Sequence, residues 1–212
     1  MKVVAVSQRV DHFPERNETR DALDRRLVTF LLVAGLVPVP LPHGLCKVLP
    51  DGQSDPKALD LWLAAVKPQA FVLSGGNDIG HCRERDLTEG WLLDHASQHQ
   101  KPLLGICRGM QMMAHWTGVD LVSVQGHVST RHPLSGEIAG EVNSYHGFSL
   151  ATCPEDFEVL ARSDDGAIEA IRHQSLPWEG WMWHPEREEI FAARDVQRIK
   201  ALFNGKEVET GS

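Results

Sequence analysis

Positive charge is in short supply in this sequence. Lys and Arg total 21 against 29 Asp and Glu, a formal net charge of −8. Phosphate backbones need a basic surface, so non-specific nucleic-acid binding is excluded. An anionic small molecule would need a local arginine cluster. Cysteine is sparse and scattered: Cys46, Cys82, Cys107 and Cys153 include no CxxC pair, which fits neither a zinc ribbon nor a disulfide scaffold. Long apolar runs are missing as well. Residues 3–6 give way at once to Ser7, Gln8 and Arg9, too short for the apolar part of a signal peptide. Residues 27–41 are broken by Gly35, Pro38 and Pro40, so they make no membrane span. A cytoplasmic protein is expected.

What is present is ordinary globular chemistry. The 212 residues, 42% hydrophobic and 24% charged, suit one catalytic domain over 1–204 followed by a polar tail, 205–212. Val3, Val4, Ala5 and Val6 read as a buried strand, followed by a polar loop through Thr19. Leu23, Leu27, Phe30, Leu31 and Ala34 recur at helical spacing, with Gly35 as a stop. Residues 36–41 form a strand that its prolines push to an edge. A loop over 42–57, a helix carrying Leu59, Trp62, Leu63 and Val66, and a strand over 70–73 follow. Asp86 with Glu89 suggests a capping box for a helix reaching about residue 100. A strand over 103–106 and a helix over 109–116 come next, then strand-like runs at 121–124, 158–160, 168–171 and 180–183 and a helix near 195–203. The β-α alternation implies an α/β fold, an open, mostly parallel sheet with helices on both faces. Trp62, Trp91 and Trp116 are expected to pack helices onto it.

Chemistry concentrates at Gly105-Ile106-Cys107-Arg108-Gly109. A strand ends, a cysteine follows and a helix starts, the thiol form of the nucleophile elbow. The turn crowds Cβ atoms two residues either side of the cysteine, hence the glycines. With glycine at about 7% of residues, both flanks match by chance around only about 0.5% of cysteines. At a helix N-terminus the dipole and free N–H groups favour thiolate over thiol.

A thiol nucleophile needs a base, and the base an orienting group. In Trp183-His184-Pro185-Glu186 the proline holds His184 extended. Residues two apart in extended chain share a side, so Glu186 is expected beside one ring nitrogen while the other faces the thiol. His95 and His99 share a helix face but lack the glutamate of His-Glu-x-x-His. His127, His132 and His173 show no clear partners by spacing. No metal and no other cofactor is expected.

Together, residues 105–109 and His184-Pro185-Glu186 resemble the class I glutamine amidotransferases and their hydrolytic relatives, the γ-glutamyl hydrolases. Ser74-Gly75-Gly76 resembles that family's glycine loop, and Asn143-Ser144-Tyr145-His146 its Asn-Ser-x-His segment. The resemblance covers nearly the whole chain in the correct order, and implies the flavodoxin-like three-layer form of the fold. It implies a Cys107–His184–Glu186 triad acting through a glutamyl thioester, with the Arg108 and Gly76 backbone N–H groups as oxyanion hole. Gly75, Gln111 and Asn143, Ser144, Tyr145 and His146 are implied as substrate-binding residues, the last four around the glutamate α-carboxylate and α-amine.

Residues 15–24, the glycine loop continued through Asn77 and Asp78, and Arg85-Asp86 with Glu89 look most like the γ-glutamyl-CDP-amidate hydrolase branch, which belongs to capsule phosphoramidate biosynthesis. Arg9, Arg83 and Arg85 are then candidates for a phosphate clamp around a nucleotide-linked leaving group. Gly147 and Phe148 depart from the second His and Gln usual in γ-glutamyl-γ-aminobutyrate hydrolases. That activity stays an alternative, as does a glutaminase subunit serving a synthase partner, which the hydrolase reading does not require.

Overall fold

The computed structural model describes residues 1–49 and 54–204, so the expected tail at 205–212 lies outside it. Nine strands form one sheet: β1 (Lys2–Val6), β2 (Leu36–Pro40), β3 (Ala70–Leu73), β4 (Leu103–Ile106), β5 (Val128–Gly136), β6 (Gly140–Tyr145), β7 (Phe157–Arg162), β8 (Ile168–His173) and β9 (Trp178–Trp181). Their spatial order is β6-β5-β7-β8-β9-β4-β3-β1-β2. From β2 to β9 the ladders are parallel; from β9 to β6 they are antiparallel.

Among the described residues five α-helices cover this sheet: α1 (Arg25–Val33), α2 (Lys57–Val66), α3 (Arg83–Gln98), α4 (Arg108–Trp116) and α5 (Ala193–Asn204). The alternation of side chains along β1 shows the layering. Val4 and Val6 join a core with Leu27, Phe30 and Leu31 of α1 and Ile199 and Phe203 of α5. Ala5 joins a second core with Leu59 and Leu63 of α2, Leu92 and Leu93 of α3 and Met110 of α4. Strands buried on both faces read as continuous apolar runs, which is why β1, β3 and β4 are plain in the sequence. Pro38 and Pro40 sit on β2 at the sheet edge, where a missing N–H is tolerated. Gly35, at φ 79°, closes α1.

Several features differ from the sequence-based expectations. The polar stretch after β1 contains an antiparallel ribbon, Arg9–Phe13 with Glu18–Ala22. Apart from buried Val10 its residues are half-buried or exposed, so no apolar alternation marks it. Strands β5 and β6 were likewise hidden, with only Leu134, Val142, Asn143 and Ser144 fully buried on them. Asp86 and Glu89 do not cap α3, which begins at Arg83 with Cys82 as its uncapped N-cap. The buried tryptophans are Trp178, Trp181 and Trp183, while Trp91 is exposed; Trp62 and Trp116 pack against the α2–α3–α4 core. No helix among the described residues is long and apolar enough to cross a membrane.

Candidate active site

Cys107 occupies the turn between β4 and α4 with φ 50° and ψ −106°, a conformation L residues rarely adopt and one that clusters at functional sites. Its N–H donates to the Trp181 carbonyl at 2.7 Å, and its carbonyl accepts the first helical bond from Gln111 N–H at 3.1 Å. The flanking glycines make the turn sterically accessible. A Cβ on Gly109 would overlap the Leu73 carbonyl oxygen, and one on Gly105 would stand 2.7 Å from the Gly109 carbonyl carbon. Each glycine therefore makes room for the strand–helix approach, and any side chain would push α4 off the sheet.

His184 follows β9, beside β4, which sets its ring next to Cys107. Nδ1 lies 2.7 Å from Glu186 Oε1. Burial works against a charged imidazole here, but Cys107 and Glu186 outweigh it and push the His184 pKa up to about 9. Pro185–Arg187 form a single 3-10 turn rather than extended chain. The carboxylate thus reaches the ring by folding back, not by sharing a strand face.

The glycine loop sits over this ring. A Cβ on Gly75 would come within 2.5 Å of His184 Cε1. A cleft on this side is lined by Arg9, Asp24, Ser74, Gly75, Gly76, Glu186 and Arg187, with His184 at its wall. Gln111, one turn along α4 from Cys107, is buried and lines a separate cleft with Asp78, Ile79 and Phe148. Its amide donates to the Phe148 carbonyl at 3.0 Å.

Beneath the elbow lies a buried ionic network. Arg85 is 1% exposed; its guanidinium bonds Glu89 at 2.9 Å and the carbonyls of Ser74 at 2.7 Å and Gly75 at 3.2 Å. Arg108, also 1% exposed, pairs with Asp86 and Glu89. Burial pushes Arg85 down to about 10; burial and then the Arg85 charge push Arg108 down to about 9. Glu89 thus ties the loop carrying Gly75 to the elbow carrying Cys107.

This corrects the clamp expected of Arg85, whose guanidinium is spent on the protein interior. Arg9 does face the cleft, paired with Asp11, and Arg83 stands exposed at the start of α3. Arg187, absent from the sequence-based candidates, lines the same cleft with its guanidinium 4.6 Å from the centre of the Tyr145 ring. Its position directly after Glu186 was the available signal.

The 143–146 segment also needs correction. Asn143, Ser144 and His146 turn their side chains into the protein interior. Asn143 bonds the His184 backbone, Ser144 donates to the His127 carbonyl at 2.7 Å, and His146 is 2% exposed beside Glu169. Tyr145 alone is exposed, edge-on to the His184 ring with centroids 5.8 Å apart. His127 and His132, without partners by spacing, meet His146 and Glu169 in one cluster whose ligand atoms lie within 4.8 Å of one another.

The family profile described as glutamine amidotransferase class-I matches residues 46–190, more than half of the chain. The chain belongs to the class I glutamine amidotransferases. It is similar to the γ-glutamyl-CDP-amidate hydrolase of Campylobacter jejuni subsp. jejuni serotype O:2, 32% identical over 142 residues, covering 64% of this chain and 70% of that protein. The glutamine-hydrolysing GMP synthase subunit of Thermococcus kodakarensis is 29% identical over 159 residues, 68% of this chain and 80% of its own length. The γ-glutamyl-γ-aminobutyrate hydrolase of Escherichia coli O157:H7 is 26% identical over 225 residues, covering 90% and 87%. Among solved structures, a GMP synthase subunit from Thermoplasma acidophilum shares the fold, with a TM-score of 0.72 at 20% identity over 96% of this chain and 94% of that one. The curated relatives are hydrolases and amidotransferases.

Proposed function

We propose that this amidotransferase-family member hydrolyses a γ-glutamyl amide bond, with Cys107 as nucleophile, His184 as base and Glu186 as orienting carboxylate. The observation carrying this reading is the His184–Glu186 pair, Nδ1 to Oε1 at 2.7 Å, set beside Cys107, a residue held at φ 50° on a helix N-terminus. The thiol proton has passed to His184 before attack, in keeping with an imidazole pushed up to about 9, and the sulfur then attacks the amide carbon. The resulting oxyanion is met by the Arg108 and Gly76 backbone N–H groups, each donor contributing about 3 kcal/mol in the transition state. His184 then protonates the departing nitrogen, leaving a glutamyl thioester. Water, deprotonated by the same imidazole, attacks the thioester and releases glutamate.

For the substrate we favour γ-glutamyl-CDP-amidate, the capsule phosphoramidate intermediate. The named activity of the Campylobacter relative supports it, and so do Arg9 and Arg187 at the cleft, with Arg83 as a further rim cation. Tyr145 and Gly75 would contact the glutamyl group, with Gln111 supporting its pocket. The similarity to GMP synthase subunits keeps a second reading, a glutaminase that serves a synthase partner. Glutamate release from γ-glutamyl-CDP-amidate, γ-glutamyl-aminobutyrate and glutamine should be compared by kcat/KM. The nucleotide substrate is expected to lead. Preference for glutamine would favour the synthase-linked glutaminase, and no turnover of any of the three would remove the hydrolase.

A further inference from the structure

Away from the Cys107 elbow, four side chains from separate parts of the chain converge on a buried point. His127 precedes β5, His132 lies on it, His146 follows β6 and Glu169 lies on β8. Their ligand atoms all fall within 4.8 Å of one another. Glu169 Oε1 stands 3.4 Å from His127 Nδ1, 3.7 Å from His132 Nε2 and 3.3 Å from His146 Nε2. In a tetrahedral zinc site with bonds of roughly 2.0–2.2 Å, ligand atoms lie about 3.3–3.6 Å apart. The three spacings from Glu169 Oε1 fall within about 0.1 Å of that edge range, and the remaining ones within the 4.8 Å bound.

None of these contacts is a hydrogen bond. His127 Nδ1, His132 Nε2, His146 Nε2 and both Glu169 oxygens have no hydrogen-bond partner. The side chains are 5%, 13%, 0% and 0% exposed, in the same residue order. A carboxylate buried without any donor is strongly disfavoured unless a cation meets it.

The opposite ring nitrogens are all supplied with acceptors. His127 Nε2 donates to Asp165 Oδ2 at 2.9 Å, His146 Nδ1 to the Phe148 carbonyl at 3.0 Å and His132 Nδ1 to the Pro133 carbonyl at 3.4 Å. Each bond puts the proton on the outer nitrogen and leaves the inner lone pair free, as outer partners of metal-bound histidines do. Asp165 is itself held by Ser163 Oγ at 2.5 Å and Ala167 N–H at 3.2 Å.

The backbone is shaped to the same end. Residues five apart on a regular strand face opposite sides. Between Val128 and Thr130 the β5–β6 register shifts, with Ser129 at φ 55°. That extra residue turns His127 to the side of His132.

We propose that His127 Nδ1, His132 Nε2, His146 Nε2 and a Glu169 carboxylate oxygen form a structural zinc site. Three imidazoles and one carboxylate complete a four-coordinate shell and suit zinc among the divalent metals. With no position left for water or substrate, the ion's work is to fasten β5 and β6 to β8. That matters to the elbow because β6 carries Asn143 and Tyr145, both against His184. The Glu169 carbonyl also accepts from Met182 N–H at 2.8 Å, two residues before His184.

The test is metal analysis of untagged, full-length protein, loaded with zinc and desalted. About one equivalent of zinc per chain should remain, and cobalt(II) in its place should show the intense visible bands of a tetrahedral site. Cys107→Ala should retain both signals. Glu169→Gln and His132→Gln should each lose zinc by desalting, and Asp165→Ala should bind about 10–100-fold more weakly. Because the wild-type zinc content and cobalt spectrum need no variant to fold, they decide alone if the variants are insoluble. Wild-type protein that holds less than about a tenth of an equivalent after loading overturns the site. So does zinc retained unchanged in folded Glu169→Gln.

Discussion

Asn143 grips the backbone of His184 from both sides: its Nδ2 donates to the His184 carbonyl at 2.8 Å, and its Oδ1 accepts the His184 N–H at 3.0 Å. The same Nδ2 reaches Glu188 Oε1 at 2.7 Å. A side chain so used fixes where the imidazole stands and has nothing left for a glutamate. Asn143→Ala should therefore lower kcat about 10- to 100-fold with KM nearly unchanged. It should also cost about 1–3 kcal/mol of stability, because a buried backbone pair is left unsatisfied. Steady-state kinetics with thermal unfolding separate the cases: a rise in KM at constant kcat would return Asn143 to substrate binding.

Gly75→Ala tests the loop over the ring. The added methyl would meet His184 Cε1 at 2.5 Å, so either the ring or the loop must move. Turnover is expected to fall at least about 100-fold, as small misplacements of a reacting group do, while circular dichroism stays that of wild type. Wild-type turnover would mean that His184 does not need this position.

The raised pKa of His184 has a signed consequence for stability. Its folded value of about 9 lies above the ordinary 6.5. The resulting stabilisation is therefore complete below pH 6.5 and lost as pH rises through 9. A shift of this size corresponds to at most about 3 kcal/mol. NMR titration should place the His184 midpoint near 9 in wild type and lower in Glu186→Gln, and urea unfolding should show the stability loss across that window. A midpoint at the ordinary value would show that Cys107 and Glu186 do not hold the charged imidazole.

Much of this was legible from residues whose local demands are strong. β1, β3 and β4 are buried on both faces, so their apolar runs stand out, and the Gly105–Cys107–Gly109 spacing announces a turn that few other sequences fit. The pairing of His184 with Glu186 was legible too, although the chain achieves it through a 3-10 turn. What stayed hidden depends on distant partners. Arg85 reads as a rim cation until Glu89 and two loop carbonyls are seen around it. His127, His132, His146 and Glu169 have no telling spacing, because a β-bulge and three strands bring them together.

The cleft arginines supply the last prediction, and the buried network its control. If the leaving group is a nucleotide diphosphate, its charge must be met locally, since the chain's net charge of −8 repels anions. Arg9 and Arg187 line the cleft beside His184. Arg9→Ala and Arg187→Ala should raise KM for γ-glutamyl-CDP-amidate, and added salt should mimic them by screening the same attraction. Turnover of a small neutral γ-glutamyl amide should change little in Arg9→Ala, whereas Arg187 also touches Tyr145 and stands 4.0 Å from Glu186, so Arg9→Ala is the cleaner variant. Arg85→Ala should behave otherwise. It leaves Glu89 short of a partner in the interior, and losing one member of a buried ion pair costs about 3–5 kcal/mol. Its defect should appear as lowered thermal stability and as loss of activity on charged and neutral substrates alike. An Arg85→Ala protein that keeps wild-type stability and loses only the nucleotide substrate would restore Arg85 to the clamp. Cleft-arginine variants that handle both substrates like wild type would instead favour a hydrolase of small γ-glutamyl amides.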